Sequence, residues 1–187
     1  MSNHYKNKHN HHKGLLFLLG IFYLVTLFSL VQVNRDNDKL KEKLFFYKKV
    51  YGDFNVQFYL TDKIQLSERE KHLLALNVFY EAGTESYNGK IAVAQTTFNR
   101  YANGKWGDLE QTIYAPDQFS WTLRKKNISP RGENWYKSLE AVDDFVDGIR
   151  IKELDGAMFY HADYVLPSWI AEKNRVIKIG KHIFYEE

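Results

Sequence analysis

The sequence predicts an α+β fold. It reads as a mostly helical domain with a small antiparallel sheet near the C-terminus, preceded by one transmembrane helix. Three observations predict this. Residues 15–33, "LLFLLGIFYLVTLFSLVQV", carry no charge. Apolar stripes of helical period, with helix start signals, run from residue 67 to residue 149. After that the pattern changes to short aromatic and β-branched runs bounded by turn residues.

The uncharged run is 19 residues long, or roughly 28 Å of helix at 1.5 Å per residue. It is apolar on every face, which a core helix of a globular domain rarely is. A cleavable signal peptide would have a shorter apolar region and a small-x-small site. "FSLVQV" supplies none, so the segment reads as an uncleaved signal anchor. Residues 1–14 form a short basic tail with Lys6, Lys8, Lys13, His4, His9, His11 and His12 and no acid. Arg35, Lys39, Lys41 and Lys43 follow the anchor, so the positive-inside rule does not choose an orientation. Residues 34–66 read as a helical stalk or linker. Val33, Leu40, Leu44, Tyr47, Tyr51 and Phe54 follow a four-three spacing, with Asn37 at one core position and Gly52 as an interruption. That pattern predicts either weak self-association through the stalk or a spacer that packs on its own domain.

The domain proper is expected over 67–187. Ser67 and Glu70 form a capping box, opening a helix to about Ala82 that Gly83 and Thr84 end. A second helix is expected over 88–101, with Ile91, Ala94 or Gln95, and Phe98 inward. "NGKWG" is a turn, 108–114 a short helix, and "APDQFSW" a loop. A further helix is expected over 133–149, with Trp135, Leu139, Val142, Phe145 or Val146, and Ile149 inward. "GAMFYHA" reads as a strand. "RVIKIGKHIFY" reads as a hairpin, with Val176–Ile179 and His182–Tyr185 as strands and Gly180-Lys181 as a type II′ turn.

Composition excludes several functions. There is no cysteine, hence no disulfide, thiolate metal site or cysteine nucleophile. Three of the 26 Lys and Arg residues lie in 1–33, so residues 34–187 balance at 23 basic against 23 acidic. A nucleic-acid partner would need a basic body or stripe, and neither is present. The sequence has no phosphate-binding loop, no nucleophile elbow and no His-Glu-x-x-His. The histidines His72, His161 and His182 are isolated in sequence, so no cofactor and no metal are expected.

What remains is Glu81. Leu74 and Val78 place it on the apolar stripe of its helix. A carboxylate on a buried face resists ionisation and can donate a proton near neutral pH. The competing reading is a glutamate that ends the helix and turns to solvent. The loops and strands beyond it are rich in aromatic, amide and hydroxyl side chains, the groups that stack on pyranose faces and bond their substituents.

The stretch "FYEAGTESYNGKIAVAQTTFNR", then Gln118-Phe119-Ser120, "GAMFYHA", Pro167 with Trp169, and "IGKHIFY" occur in order. Together they resemble the SleB-type cell-wall hydrolases, the spore cortex-lytic enzymes and their bacterial and phage relatives. The resemblance spans about Leu73 to Tyr185. It implies a compact lysozyme-like domain acting on peptidoglycan glycan strands. It implies a cut between N-acetylmuramic acid and N-acetylglucosamine by a lytic transglycosylase or a muramidase. Glu81, after Tyr80, matches the family's catalytic glutamate. Gln118, Ser120, Tyr160 and Trp169 are the expected sugar-binding residues. The family's Arg-Gly-Glu after Glu-Ala is here Gly83-Thr84-Glu85, and His161 and Lys181 stand where asparagine is common. A hydrolase would need a second carboxylate, for which Glu85, Asp117 and Asp163 are the candidates. A wall enzyme works outside the cytoplasmic membrane, which implies a membrane-anchored, single-pass chain with the tail inside and the domain outside. Its partners would be glycan strands and, through residues 15–33, the lipid bilayer.

Overall fold

A computed structural model describes residues 2–51, 56–123 and 129–187; in the first helix, side chains are described for 19, 21–46, 48 and 49. Gly52 and Phe54 of the predicted heptad pattern lie outside the described residues, as do the side chains of Tyr47, Tyr51 and the basic tail. Contacts divide the chain into two units, Met1–Lys43 and Leu44–Glu187.

Helix α1 runs Ser2–Tyr51. Among the described residues, no helix is long and apolar enough to cross a membrane. The side chains of 15–18 and Gly20, which the predicted span also needs, lie outside the described residues. The expected transmembrane helix preceding the α+β domain is therefore corrected. The membrane-anchored, single-pass localisation built on it is corrected too.

The second unit is mostly helical with two small sheets. Helix α2, Glu68–Ala82, opens with both halves of the capping box: Ser67 Oγ accepts from the Glu70 amide, and Glu70 Oε2 accepts from the Ser67 amide at 2.8 Å. Helix α3, Tyr87–Ala102, is capped by Ser86. Helix α4, Leu109–Tyr114, is capped by Asp108. Helix α5, Glu133–Val146, stops three residues before the predicted end. Gly148, at φ +113°, turns the chain there, and Ile149 enters a strand instead.

Helices α2, α3 and α5 pack on one another. Leu74, Val78, Ile91, Val93, Phe145 and Leu109 are fully buried between the helices. Strands β1, Phe58–Leu60, and β2, Ile149–Ile151, pair antiparallel; neither is among the predicted elements. The free edge of β2 is satisfied by Gln95, which donates to the Ile151 carbonyl at 2.9 Å and accepts from its amide at 2.8 Å. A side-chain amide here replaces a third strand.

Strands β3, Phe159–Ala162, β4, Asn174–Ile179, and β5, His182–Glu186, form an antiparallel sheet in the order β3-β5-β4. The β4–β5 turn has Gly180 at φ +57°, while Lys181 is not among the positive-φ residues. Type II′, unlike type I′, needs that combination. On β3 and β5 the alternation is strict. Tyr160, His182 and Phe184 contact one another. Phe159, His161 and Tyr185 gather with Trp169 on the opposite face.

Candidate active site

The last turn of α2 presents Glu81 one turn after Asn77. Leu74 and Val78 on the same stripe are fully buried, and Glu81 is half-buried where the stripe reaches the surface. The hydroxyl of Tyr160, from β3, donates to Glu81 Oε2 at 3.3 Å. Burial pushes the Glu81 carboxyl above the ordinary glutamate value, and the Tyr160 hydrogen bond and the Arg100 charge oppose it. Burial and the charge of Glu81 push the Tyr160 phenol well above its usual range, so it stays a neutral donor. The site is thus a partly desolvated carboxyl with one phenolic donor and one cation nearby, suited to giving up a proton and taking it back.

Trp121 packs on α2 at Asn77 and Tyr80, four residues and one residue before Glu81. Trp121, in a short 3₁₀ turn (Ser120–Leu123), donates from Nε1 to Asn77 Oδ1 at 2.8 Å. Its ring stacks on Tyr80, centroids 4.8 Å apart and 19° from parallel, and meets the edge of Tyr114 at 5.8 Å. Asn77, fully buried, gives its amide to Thr97 Oγ1 at 2.9 Å. Trp121→Phe keeps a ring in place but leaves Asn77 Oδ1 without its donor. The expected cost is about 1–3 kcal/mol, read from urea denaturation; an unchanged midpoint would give this contact no net weight.

The loop after Glu81 is held from two directions. Lys90, 2% exposed, donates from Nζ to the carbonyls of Ala82, Gly83 and Glu85 at 2.7, 2.8 and 2.9 Å. Glu85 Oε2 accepts from the Lys181 amide at 3.2 Å. Gly180 is favoured there by its φ of +57°; a Cβ would sit 2.0 Å from that same oxygen and would push the Glu85 carboxylate off the hairpin. Asp163 pairs with Lys178 at 2.6 Å, and its amide donates to the Lys181 carbonyl at 2.7 Å. Asp117 is exposed in a loop at φ 61°. His182, buried against the edge of the Tyr160 ring, has no partner at Nδ1 and is pushed below the usual histidine value by burial. Among the described residues, no group of three His, Cys, Asp or Glu side chains is placed to hold a metal ion.

The structure brings Tyr160 to Glu81. Gln118 is half-buried in the same loop as Trp121 and donates to the Pro116 carbonyl at 3.4 Å, and Ser120 is exposed beside it. Trp169 goes elsewhere: it packs on Phe159, His161 and Tyr185, on the sheet face away from Tyr160. Three residues were missed by sequence reasoning. Trp121 lies in the quoted loop next to Ser120, while Lys90 and Arg100 both lie in the stretch that carries the resemblance.

The model of the cell wall hydrolase family matches residues 84–185, more than half of the chain. The chain belongs to the cell wall hydrolase family. Glu81 itself lies three residues before the matched segment. The spore cortex-lytic enzyme of Oceanobacillus iheyensis is 30% identical over 124 residues, 63% of this chain and 42% of that protein. The corresponding enzyme of Bacillus subtilis is 28% identical over 121 residues, 64% of this chain and 38% of that protein. The chain thus spans about two-fifths of the length of these relatives. Among solved structures, the catalytic domain of the Bacillus cereus SleB protein is similar at TM-score 0.56 and 26% identity, covering 67% of this chain and 95% of that one. The catalytic domain of the germination-specific lytic transglycosylase SleB of Bacillus anthracis is similar at TM-score 0.55 and 26% identity, covering 65% and 97%.

Proposed function

We propose that this hydrolase cleaves peptidoglycan glycan strands as a lytic transglycosylase, with Glu81 as both acid and base. The observation that carries this reading is the setting of Glu81. Burial raises its pKa, Tyr160 holds it, and among the described residues the groups that act on it are Tyr160 and Arg100. Of the three candidate second carboxylates, Glu85 is turned to the β4–β5 hairpin and Asp163 to Lys178, while Asp117 is exposed in its loop. The match to a solved lytic transglycosylase domain supports the same class.

The Glu81 O–H proton goes to the glycosidic oxygen between the N-acetylmuramyl and N-acetylglucosaminyl units. The bond from the muramyl C1 to that oxygen breaks, leaving oxocarbenium character at C1. The C6 hydroxyl of the same sugar attacks C1 and gives its proton to the Glu81 carboxylate. The acid is restored, a 1,6-anhydro ring closes, and no water is consumed. Trp121, Tyr80 and Tyr114 form the aromatic wall for the sugar rings, with Gln118 and Ser120 on its rim; Trp169 is assigned to packing.

Purified sacculi incubated with the full chain should release fragments with anhydromuramic ends, read by mass spectrometry. Reducing muramic ends would replace this reading with hydrolysis, with Glu85 the first carboxylate to test. Bound sacculi with no fragments would overturn catalysis.

A further inference from the structure

Arg100 lies in the last full turn of α3 and is 6% exposed. A guanidinium stays ionised at any working pH, and an uncompensated buried charge is costly. Arg100 is well placed but poorly satisfied. Its Nε–H donates to the Met158 carbonyl. Its guanidinium carbon lies 5.0 Å from the Phe119 ring centroid and 5.3 Å from that of Tyr160. Its Nη1 has no hydrogen-bond partner. Among the described residues, the groups whose charge acts on it are Tyr160 and Glu81.

We propose that Arg100 is the buried counter-charge of Glu81, a positioning residue that stabilises the carboxylate left once the proton has gone to the leaving oxygen. The proposal rests on the reading of Glu81 as the acid. Tyr160 of β3 donates to Glu81, the Arg100 guanidinium of α3 lies 5.3 Å from the Tyr160 ring centroid, and His182 of β5 meets the same ring. Tyr160 is held neutral, because burial and Glu81 push its ionisation well above the usual range. His182 is held neutral at pH 7, because burial lowers its pKa. The Glu85 carboxylate sits on the hairpin turn. The one cation acting on Glu81 among the described residues is Arg100, and it is fixed by a backbone carbonyl and two rings, so little reorganisation is needed when the charge appears.

Arg100 makes no direct hydrogen bond to Glu81, so its charge acts on the carboxylate through space, across the Tyr160 side chain that both groups meet. Arg100 therefore favours the ionised form, and burial favours the protonated form. A group that must act first as acid and then as base is served by that balance.

The test is a pH titration by NMR of the full chain, with 13C-labelled glutamate carboxyls and 15N-labelled arginine. The Arg100 Nε–H signal should titrate with the Glu81 midpoint in the parent protein and should be flat in Glu81→Gln. In Arg100→Gln the Glu81 midpoint should move upward by several-fold in acid constant, and in Arg100→Lys it should return toward the parent value. An Arg100 signal indifferent to Glu81, or a Glu81 midpoint unmoved in Arg100→Gln, overturns the proposal. If the Arg100 variants do not fold, the parent and Glu81→Gln pair still decides. The titration reads protonation and not cleavage. Failure of Glu81 as catalyst would show separately, as cleavage persisting in Glu81→Gln.

Discussion

Glu81→Gln should abolish release of glycan fragments while the fold survives. Glutamine keeps the shape of the carboxyl and can still accept from the Tyr160 hydroxyl, but it can neither give nor take a proton. General acid–base catalysis contributes about 10²–10⁴-fold, so the loss should fall in or beyond that range. The pH profile carries the same claim with a sign. The acid must be protonated to start, so kcat/KM should fall on the alkaline side as Glu81 ionises. Burial raises its pKa, so this limb should lie at higher pH than an ordinary glutamate would place it. Stability follows the opposite course. In the window from the ordinary glutamate value up to the raised folded one, the folded protein keeps a proton that the unfolded chain has lost. Stability therefore falls as pH rises through that window. Glutamine removes the titration, so Glu81→Gln should be at least as stable as the parent protein at pH 7, by thermal or urea denaturation. Substantial residual cleavage would sink the assignment of Glu81. A large loss of stability would mean that the ionised carboxylate holds the site together.

These expectations were legible in the sequence to different depths. Local chemistry was read well, because it depends on neighbours in the chain. Ser67 and Glu70 cap α2, and Gly180-Lys181 closes the hairpin, since each needs only a few adjacent residues. Glu81 was legible because its stripe has a period. Strands β1 and β2 were not, since three residues are too few to show alternation and their partners are 89 to 93 residues apart. The Gly148 turn hid inside an otherwise continuous helical pattern. Trp169 was expected at the sugar site from its residue type and its place in the resemblance. Its actual surroundings follow from β3 alternation, which puts Tyr160 on one face and Phe159 and His161 on the other. Trp121 and Arg100 act through residues distant in sequence, Asn77 and Glu81, and no spacing announces such pairs. The predicted span 15–33 was read from its uncharged, apolar run; among the described residues no helix is long and apolar enough to cross a membrane.

Lys90→Met should destabilise the domain more than any exposed substitution, and should loosen the loop that follows Glu81. A helix leaves its last four carbonyls without intrahelical donors. Many helices solve this with a left-handed glycine. Gly83 does not, because its φ −57° and ψ −33° are helical. The ammonium of Lys90 supplies the donors instead, reaching three carbonyls from the first turn of α3. This is also how the chain shapes a Gly83-Thr84-Glu85 loop that lacks the family's arginine. Methionine keeps the length of the side chain and offers no donor. The Ala82 carbonyl keeps the Glu85 amide as a donor at 3.0 Å, so the Gly83 and Glu85 carbonyls are the ones that lose theirs; at about 1 kcal/mol or more each, the loss should be roughly 2 kcal/mol or more. The arrangement has its own pH signature. Burial brings the Lys90 pKa down from 10.5 to about 8. Between those values the unfolded chain holds more protons than the folded one, so this lysine makes stability rise with pH from about 8 upward. The rise should be present in the parent protein and absent from Lys90→Met, by urea denaturation across that range. A variant as stable as the parent, with the same pH slope, would mean that the three carbonyls do not depend on Lys90.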